Sequence, residues 1–200
     1  MVRKSDINPI GSPISVACAE IELVKSCIEG DDVALRDFVG RFQGMIFGLC
    51  FRMLGHRQDA EDVSQDVFSR VFRNLHRWDR ACPLKPWLLT IAANRCRTAL
   101  ERRTRRPRPS YLSYEVATEF DSARSSELAE ELQLALSGLR DEYRVCFVLF
   151  YHKELSCAEI SAALDCPQGT VKTWLHRARH ELAERLRQRD VTPEASHEMR

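Results

Sequence analysis

The stretch CPQGTVKTWLHRARHEL, residues 166–182, winds into a helix with two contrasting faces. At about 100° per residue, one narrow side of this helix is entirely apolar. The opposite side is polar and cationic; it carries Thr173, His176 and Arg177, with Lys172 at its edge. Such a helix packs one side on a core and leaves the other free to contact a ligand. The apolar stripe consists of Val171, Leu175, Ala178, Leu182 and Leu186.

A shorter helix precedes this one in the sequence. Ser156 and Glu159 have the spacing of a capping box at its start, and Pro167 suits the first turn of the longer helix. Two helices joined by a tight turn at Asp165–Cys166 predict a helix-turn-helix, whose second helix enters the major groove of DNA. An ordinary solvated helical hairpin has the same local pattern, so the rest of the chain must decide between them.

The remaining sequence predicts an all-α protein of two small helical domains joined by a flexible acidic linker. Apolar positions keep helical spacing from Leu35 to Gly55, Asp59 is expected to cap a second helix, and Pro86 is expected to open a third. The run VCFVLFY (145–151) fits a buried strand by periodicity, but its helical surroundings favour a buried helix. The predicted segments are a loose leader (1–19), a first domain (20–106), the linker (107–126), a helix-turn-helix domain (127–188) and a charged tail (189–200).

The net charge of +1 hides large blocks of opposite charge. Residues 20–66 carry ten acids and five bases, residues 67–108 twelve bases and two acids, and residues 109–166 four bases and eleven acids. Such blocks indicate separate surfaces with different partners.

No catalytic, cofactor or metal motif is found in the sequence, so no enzymatic activity, cofactor or bound metal is expected. The eight cysteines form no C-x-x-C pair, and several occupy apolar helical positions, which is typical of reduced core thiols. Four potential zinc ligands lie near each other in the sequence, but their spacing does not match that of a zinc ribbon or a zinc finger. They are Cys157, Cys166, His176 and His180. Without a signal peptide or membrane span, the chain is expected to be cytoplasmic, with no membrane insertion.

Two polar surfaces of the first domain are candidate binding surfaces. Asp62, Gln65 and Asp66 share the outer face of the second helix, which either faces water or meets a basic partner. Seven arginines between residues 95 and 108 stand against the single acid Glu101. Such a run beside Trp87 favours the binding of unstacked nucleic-acid bases. The alternative is that Trp87 anchors the edge of the core and that the arginines form a solubilising tail.

These segments resemble a known family. DAEDVSQDVFSRVFRNLHRWD (59–79) and PWLLTIAANRCR (86–97) are similar to region 2 of the extracytoplasmic-function (ECF) sigma factors of bacterial RNA polymerase. The segment from LRDEYRVCF to RHELAERL (139–186) is similar to their region 4. The resemblance covers roughly residues 30–188, in the family's order.

The resemblance implies partners and site residues. The acidic helix is expected to dock on the β′ coiled coil of core RNA polymerase, and region 4 to contact the β flap. The third helix and the loop 79–84 are expected to melt and read the −10 element of promoter DNA, and the recognition helix to read the −35 element. An anti-sigma factor is a further expected partner. The implied residues are Asp62, Gln65 and Asp66 for polymerase; Trp87, Asn94, Arg97 and Arg102 for −10; and Lys172, Thr173, Trp174, His176 and Arg177 for −35.

Two other functions fit the same helices. The first is a stand-alone helix-turn-helix regulator whose N-terminal domain senses a signal or dimerises. The second is a helical adaptor that binds only proteins. The sigma factor, the regulator and the adaptor can be distinguished by two measurements: the binding of the chain to core polymerase and the binding of the free chain to duplex DNA.

Overall fold

The computed structural model describes residues 13–105 and 123–188, and all regular secondary structure in these residues is helical. We call residues 13–105 the N-terminal unit and residues 123–188 the C-terminal unit. A short 3-10 turn follows α3, and a π-helical turn, Val148–His152, follows α6. The helices are α1 (Pro13–Ile28), α2 (Asp32–Leu54), α3 (Arg57–Asn74), α4 (Leu84–Arg105), α5 (Ala123–Ser137), α6 (Asp141–Phe147), α7 (Cys157–Leu164) and α8 (Gln168–Arg187).

Local chemistry fixes both ends of α2. The Asp31 side chain accepts a 2.8 Å hydrogen bond from the Val33 N–H and thereby caps the N-terminus. At the C-terminus Gly55 has a φ of 72°, a left-handed conformation that glycine adopts without a steric penalty, and its N–H donates to the Phe51 carbonyl. The helix therefore ends at the glycine that the apolar spacing predicts.

Four predicted boundaries are wrong. α3 begins after His56, whose Nδ1 accepts the Asp59 N–H, so Asp59 lies in the first turn and is not the cap. α4 begins at Leu84 rather than at proline 86, because fully buried Leu84 already anchors its first turn. Residues 13–19 belong to α1 and not to a loose leader, and residues 123–126 belong to α5 and not to the linker. The segments 1–12, 106–122 and 189–200 lie outside the described residues.

The helix-turn-helix forms as predicted. Ser156 and Glu159 make the capping box of α7, and Asp165 adopts a left-handed conformation, with a φ of 50°, in the turn. Val171, Leu175, Ala178 and Leu182 of the predicted stripe are buried. The ambiguous run 145–151 is helical, with its second half wound as the π-helical turn.

The two units pack directly against each other. A single hydrophobic cluster includes Leu49 and Leu88 of the N-terminal unit together with Leu149 and Ile160 of the C-terminal unit. α7 packs on α4, while α5, α6 and the π-helical turn pack on α2. We call this contact the closed arrangement.

Polar side chains of α4, α5 and α6 converge on the C-terminal turn of α2. The last carbonyls of a helix have no partner within the helix and need donors from elsewhere. Arg144 donates to the Met53 carbonyl, Arg103 to the Leu54 carbonyl, and Gln133 to the carbonyls of Phe51 and Arg52. Two of these three donors belong to the C-terminal unit, so the end of α2 is capped across the closed arrangement.

Candidate nucleic-acid and polymerase interfaces

The acidic face of α3 divides into an exposed part and a paired part. Asp62 and Gln65 are exposed, and Gln58 donates a 3.3 Å hydrogen bond to Asp62. Asp66 is half-buried; it forms ion pairs with Arg95 of α4 and, at 3.6 Å, with Arg70. Because the Arg95 side chain is only 17% exposed, this pair ties α3 to α4. Asp66 is therefore already engaged within the fold, whereas Asp62 is available to a partner.

The four candidate −10 residues on α4 differ in accessibility. Asn94 and Arg102 are exposed, whereas Trp87 is half-buried against the hydrophobic cluster. Arg97 is half-buried, and its charge acts on the thiols of Cys146 and Cys166, which both belong to the C-terminal unit. The closed arrangement therefore covers the part of α4 that carries Arg97.

The loop before α4 is held by a buried tryptophan. Trp78 is 8% exposed and its indole N–H donates a 3.1 Å hydrogen bond to the Cys82 carbonyl. The Asp79 carboxylate accepts a 2.9 Å hydrogen bond from the Ala81 N–H within the same loop. Trp78 thus shapes the loop from below and does not offer a ring for base stacking.

Three candidate −35 residues are solvent-exposed on the outer face of α8. Lys172, Thr173 and His176 are exposed, on the side opposite the buried stripe. The Thr173 hydroxyl donates to the Gly169 carbonyl at 2.9 Å, and its oxygen can still accept a hydrogen bond. The rings of His176 and His180 lie 4.6 Å apart and extend the face by one turn.

Arg177 and Trp174 also contact the body of the C-terminal unit. The Arg177 guanidinium donates a 3.1 Å hydrogen bond to the Tyr143 hydroxyl of α6, which lowers the pKa of Tyr143 by favouring its charged form. Trp174 is half-buried and packs against both hydrophobic clusters of the protein. These two side chains brace α8 against its neighbours, and the rest of the predicted face is free.

Sequence reasoning missed the residues that join the units. Gln133 is 4% exposed, Arg144 is 7% exposed and Lys153 is 7% exposed, although all three are polar. Arg144 has a signal in the sequence, since it stands between Tyr143 and Val145 in an otherwise apolar run. A buried charge at such a position needs hydrogen-bond acceptors, which here come from another part of the chain.

Comparisons with known proteins identify the family. Residues 38–106 match the family model for Sigma-70 region 2, and residues 129–182 match the model for Sigma-70, region 4. The ECF RNA polymerase sigma factor SigW of Bacillus subtilis (strain 168) is 36% identical over 180 residues, covering 82% of this chain and 95% of its own length. The chain belongs to the ECF sigma factors of the sigma-70 family. It is an alternative sigma factor, an initiation factor that directs bacterial RNA polymerase to promoter DNA.

Further relatives agree with this placement of the sigma factor. The ECF RNA polymerase sigma-E factor of Escherichia coli (strain K12) is 30% identical, covering 78% of this chain and 88% of its own length. Among solved structures, CnrH in complex with the cytosolic domain of CnrY aligns with a TM-score of 0.61 at 25% identity, covering 84% of this chain and 96% of that one. The sigma factor RpoE of Bartonella quintana, in complex with the anti-sigma factor NepR, has the same fold, with a TM-score of 0.63 at 23% identity over 76% and 98% of the two chains.

The described residues contain neither a membrane-spanning helix nor a cluster of metal ligands. None of the helices there has both the length and the apolar character that a bilayer span requires. Within the same residues, no group of three or more histidine, cysteine, aspartate or glutamate side chains is arranged to hold a metal ion.

Proposed function

We propose that the sigma factor docks on core polymerase through Asp62 and Gln65, with Asp66 behind them, and reads the −35 element through the outer face of α8. The observation that carries this proposal is the exposure of Lys172, Thr173 and His176 on the second helix of a helix-turn-helix. Lysine supplies a phosphate contact, and the hydroxyl and imidazole can hydrogen-bond base edges in the major groove. The β′ coiled coil and the β flap are the proposed docking surfaces on polymerase.

The −10 element is assigned to α4 and the loop before it. Asn94 and Arg102 are accessible to DNA already in the closed arrangement. Together with Arg97 and Trp87 they form a surface with cations for the DNA backbone and a ring for an unstacked base. Since α7 packs on α4 beside Arg97, the closed arrangement has to open before this whole surface meets DNA. Opening also separates α4 from α8, which suits a protein that reads two promoter elements at once.

We further propose that an anti-sigma factor holds this chain inactive. CnrH is bound to the cytosolic domain of CnrY, and the Bartonella quintana RpoE is bound to the anti-sigma factor NepR. A partner that stabilises the closed arrangement needs to bind only that state, because linkage then shifts the equilibrium toward it. The factor acts in the cytoplasm, where polymerase and promoters are, and has no catalytic role of its own.

A reconstituted transcription assay tests the proposal. The purified chain should form a complex with core polymerase that initiates from its promoter, while the free chain should bind −35 duplex only weakly. Alanine at Lys172 and His176 should lower initiation from promoters that depend on −35 without affecting core binding. Tight duplex binding without polymerase would instead identify a stand-alone regulator, and core binding without initiation would identify an adaptor.

A further inference from the structure

Four basic side chains lie close enough to influence one another where the two units join. Arg52, near the end of α2, and Lys85, near the start of α4, belong to the N-terminal unit. His152 ends the π-helical turn of the C-terminal unit, and Lys153 follows it. The Lys153 ammonium lies 3.2 Å, and the His152 Nε2 4.0 Å, from the point where a Cβ on Gly48 would be. The missing side chain at Gly48 therefore leaves room for both. We call Arg52, Lys85, His152 and Lys153 the junction cluster.

No acid compensates this positive charge among the side chains that the structure describes. The ion pairs between those side chains involve other groups, so none of their carboxylate oxygens lies within 4.0 Å of any member of the junction cluster. Lys153 is only 7% exposed, and the Arg52 Nε is buried without a hydrogen-bond partner in the described part of the chain. A buried donor without an acceptor is costly, and a buried charge without a counter-charge is more so.

The titration of the cluster reflects the same imbalance. Burial, followed by the charges of Arg52 and Lys85, lowers the pKa of Lys153 to about 8. Partial burial, followed by the charges of Arg52 and Lys153, lowers the pKa of His152 to about 4. The neighbouring cations thus disfavour protonation of both Lys153 and His152, and an anion between these side chains would relieve both the repulsion and the missing hydrogen bonds.

We propose that the junction cluster binds a phosphate group and that the bound phosphate stabilises the closed arrangement. A tetrahedral dianion offers several acceptors at once to the deeper Lys153 and Arg52 and to His152 and Lys85 nearer the surface. A single carboxylate carries half that charge and fewer acceptors. Because each unit contributes two of the four basic side chains, the bound anion is a bridge between the units. This inference does not depend on which promoter bases α4 and α8 read.

Melting temperatures of the full-length chain test the site. Inorganic phosphate, pyrophosphate and a nucleoside diphosphate are each titrated at pH 7 and constant ionic strength, with sodium chloride and sodium acetate as reference salts. Phosphate should raise the melting temperature of the wild type by roughly 5 °C at saturation. Lys153→Met should melt higher than the wild type without phosphate, because a buried charge is removed, and should lose the response to phosphate. Lys25→Met, which removes an exposed lysine of α1, should keep the full response.

Arg52→Gln is a second variant that keeps Lys153 in place, and its response should be weakened. Equal midpoints for pyrophosphate and the nucleoside diphosphate would assign recognition to the phosphates alone, and a lower midpoint for the nucleotide would assign the site to a nucleotide. The proposal is overturned if phosphate stabilises the wild type no more than chloride does, or if Lys153→Met responds like the wild type. A response to acetate equal to that to phosphate would overturn it in favour of a carboxylate site.

Discussion

Arg144 of α6 donates a 2.6 Å hydrogen bond to the carbonyl of Met53, a residue 91 positions earlier in the chain. The other terminal nitrogen of the same guanidinium donates to the carbonyls of Ser137 and Leu139, each at 2.9 Å. One side chain therefore shapes the turn between α5 and α6 and also caps the C-terminal turn of α2. The folding of the C-terminal unit and the closed arrangement share this residue.

Replacing Arg144 by methionine should destabilise the protein strongly. The change keeps most of the side-chain volume but removes this donor from three carbonyls, and the hydrogen bonds to two of them, at Met53 and Leu139, are buried. We expect the free energy of unfolding in urea to fall by about 3 kcal/mol. Arg36→Met is the control, since Arg36 is exposed and donates to the Asp32 carbonyl within its own helix. Equal stability of the two variants would contradict this account of Arg144.

Asp62 and Asp66 should respond differently to charge reversal. Asp62→Lys should weaken binding to core polymerase by about 2–5 kcal/mol with little change in stability, because Asp62 is exposed. Asp66→Lys should also lower the melting temperature, because it places a cation against half-buried Arg95. Core affinity is measured by competition with a labelled sigma factor, with Glu22→Lys on α1 as the control for net charge. Unchanged core affinity in Asp62→Lys would remove this face as the docking surface.

Local periodicity was sufficient to predict the core helices of both units and their buried faces, but α1 was not predicted. The stripe of α8, the capping box of α7 and the end of α2 at Gly55 depend on neighbours within a few residues, which the sequence displays directly. The start of α3 was missed because His56 caps it, and histidine is an uncommon N-cap.

Contacts between elements that are distant in the sequence had no such signal. In the sequence Asp66 belongs to a predicted outer face and Arg95 to a run of arginines, and only the packing of α3 on α4 pairs them. In the same way, Gln133 and Lys153 are ordinary polar residues until the closed arrangement buries them. Helical periodicity specifies which side of a helix is buried but not which distant element covers it, so the coverage of Arg97 was not foreseeable.

Promoter opening should depend on Arg97 only after docking. Arg97→Ala should leave core binding normal and reduce the yield of open complexes, with a loss of about 1–3 kcal/mol in affinity for −10 DNA. A template with a pre-melted −10 bubble should restore part of the yield if Arg97 acts in melting. Arg73→Ala, on an exposed part of α3, is the control. Wild-type opening by the Arg97 variant would show that α4 does not use this residue on DNA.

Acid should weaken the fold through His152. Its pKa is lowered to about 4 in the folded protein, first by partial burial and then by Arg52 and Lys153. Between about pH 6.5 and pH 4 the unfolded chain therefore binds more protons at this residue, so stability rises with pH across this window and is lost on acidification. His152→Gln should be less sensitive than the wild type to a shift from pH 6.5 to 4.5 in urea melts. His76→Gln, an exposed histidine, should behave like the wild type. Identical pH dependence of the wild type and His152→Gln would contradict the lowered pKa.

Trp174 packs against both hydrophobic clusters yet remains partly exposed beside the −35 face. Trp174→Ala should lower the free energy of unfolding by about 2 kcal/mol, because the ring fills space between the clusters. Trp174→Phe should recover most of that loss. Trp174→Arg, measured on −35 duplex with the holoenzyme, should steepen the log–log salt dependence by about one unit through a new phosphate contact. If Trp174→Ala retained full stability but lost −35-dependent transcription, the indole would be a DNA contact and not part of the core.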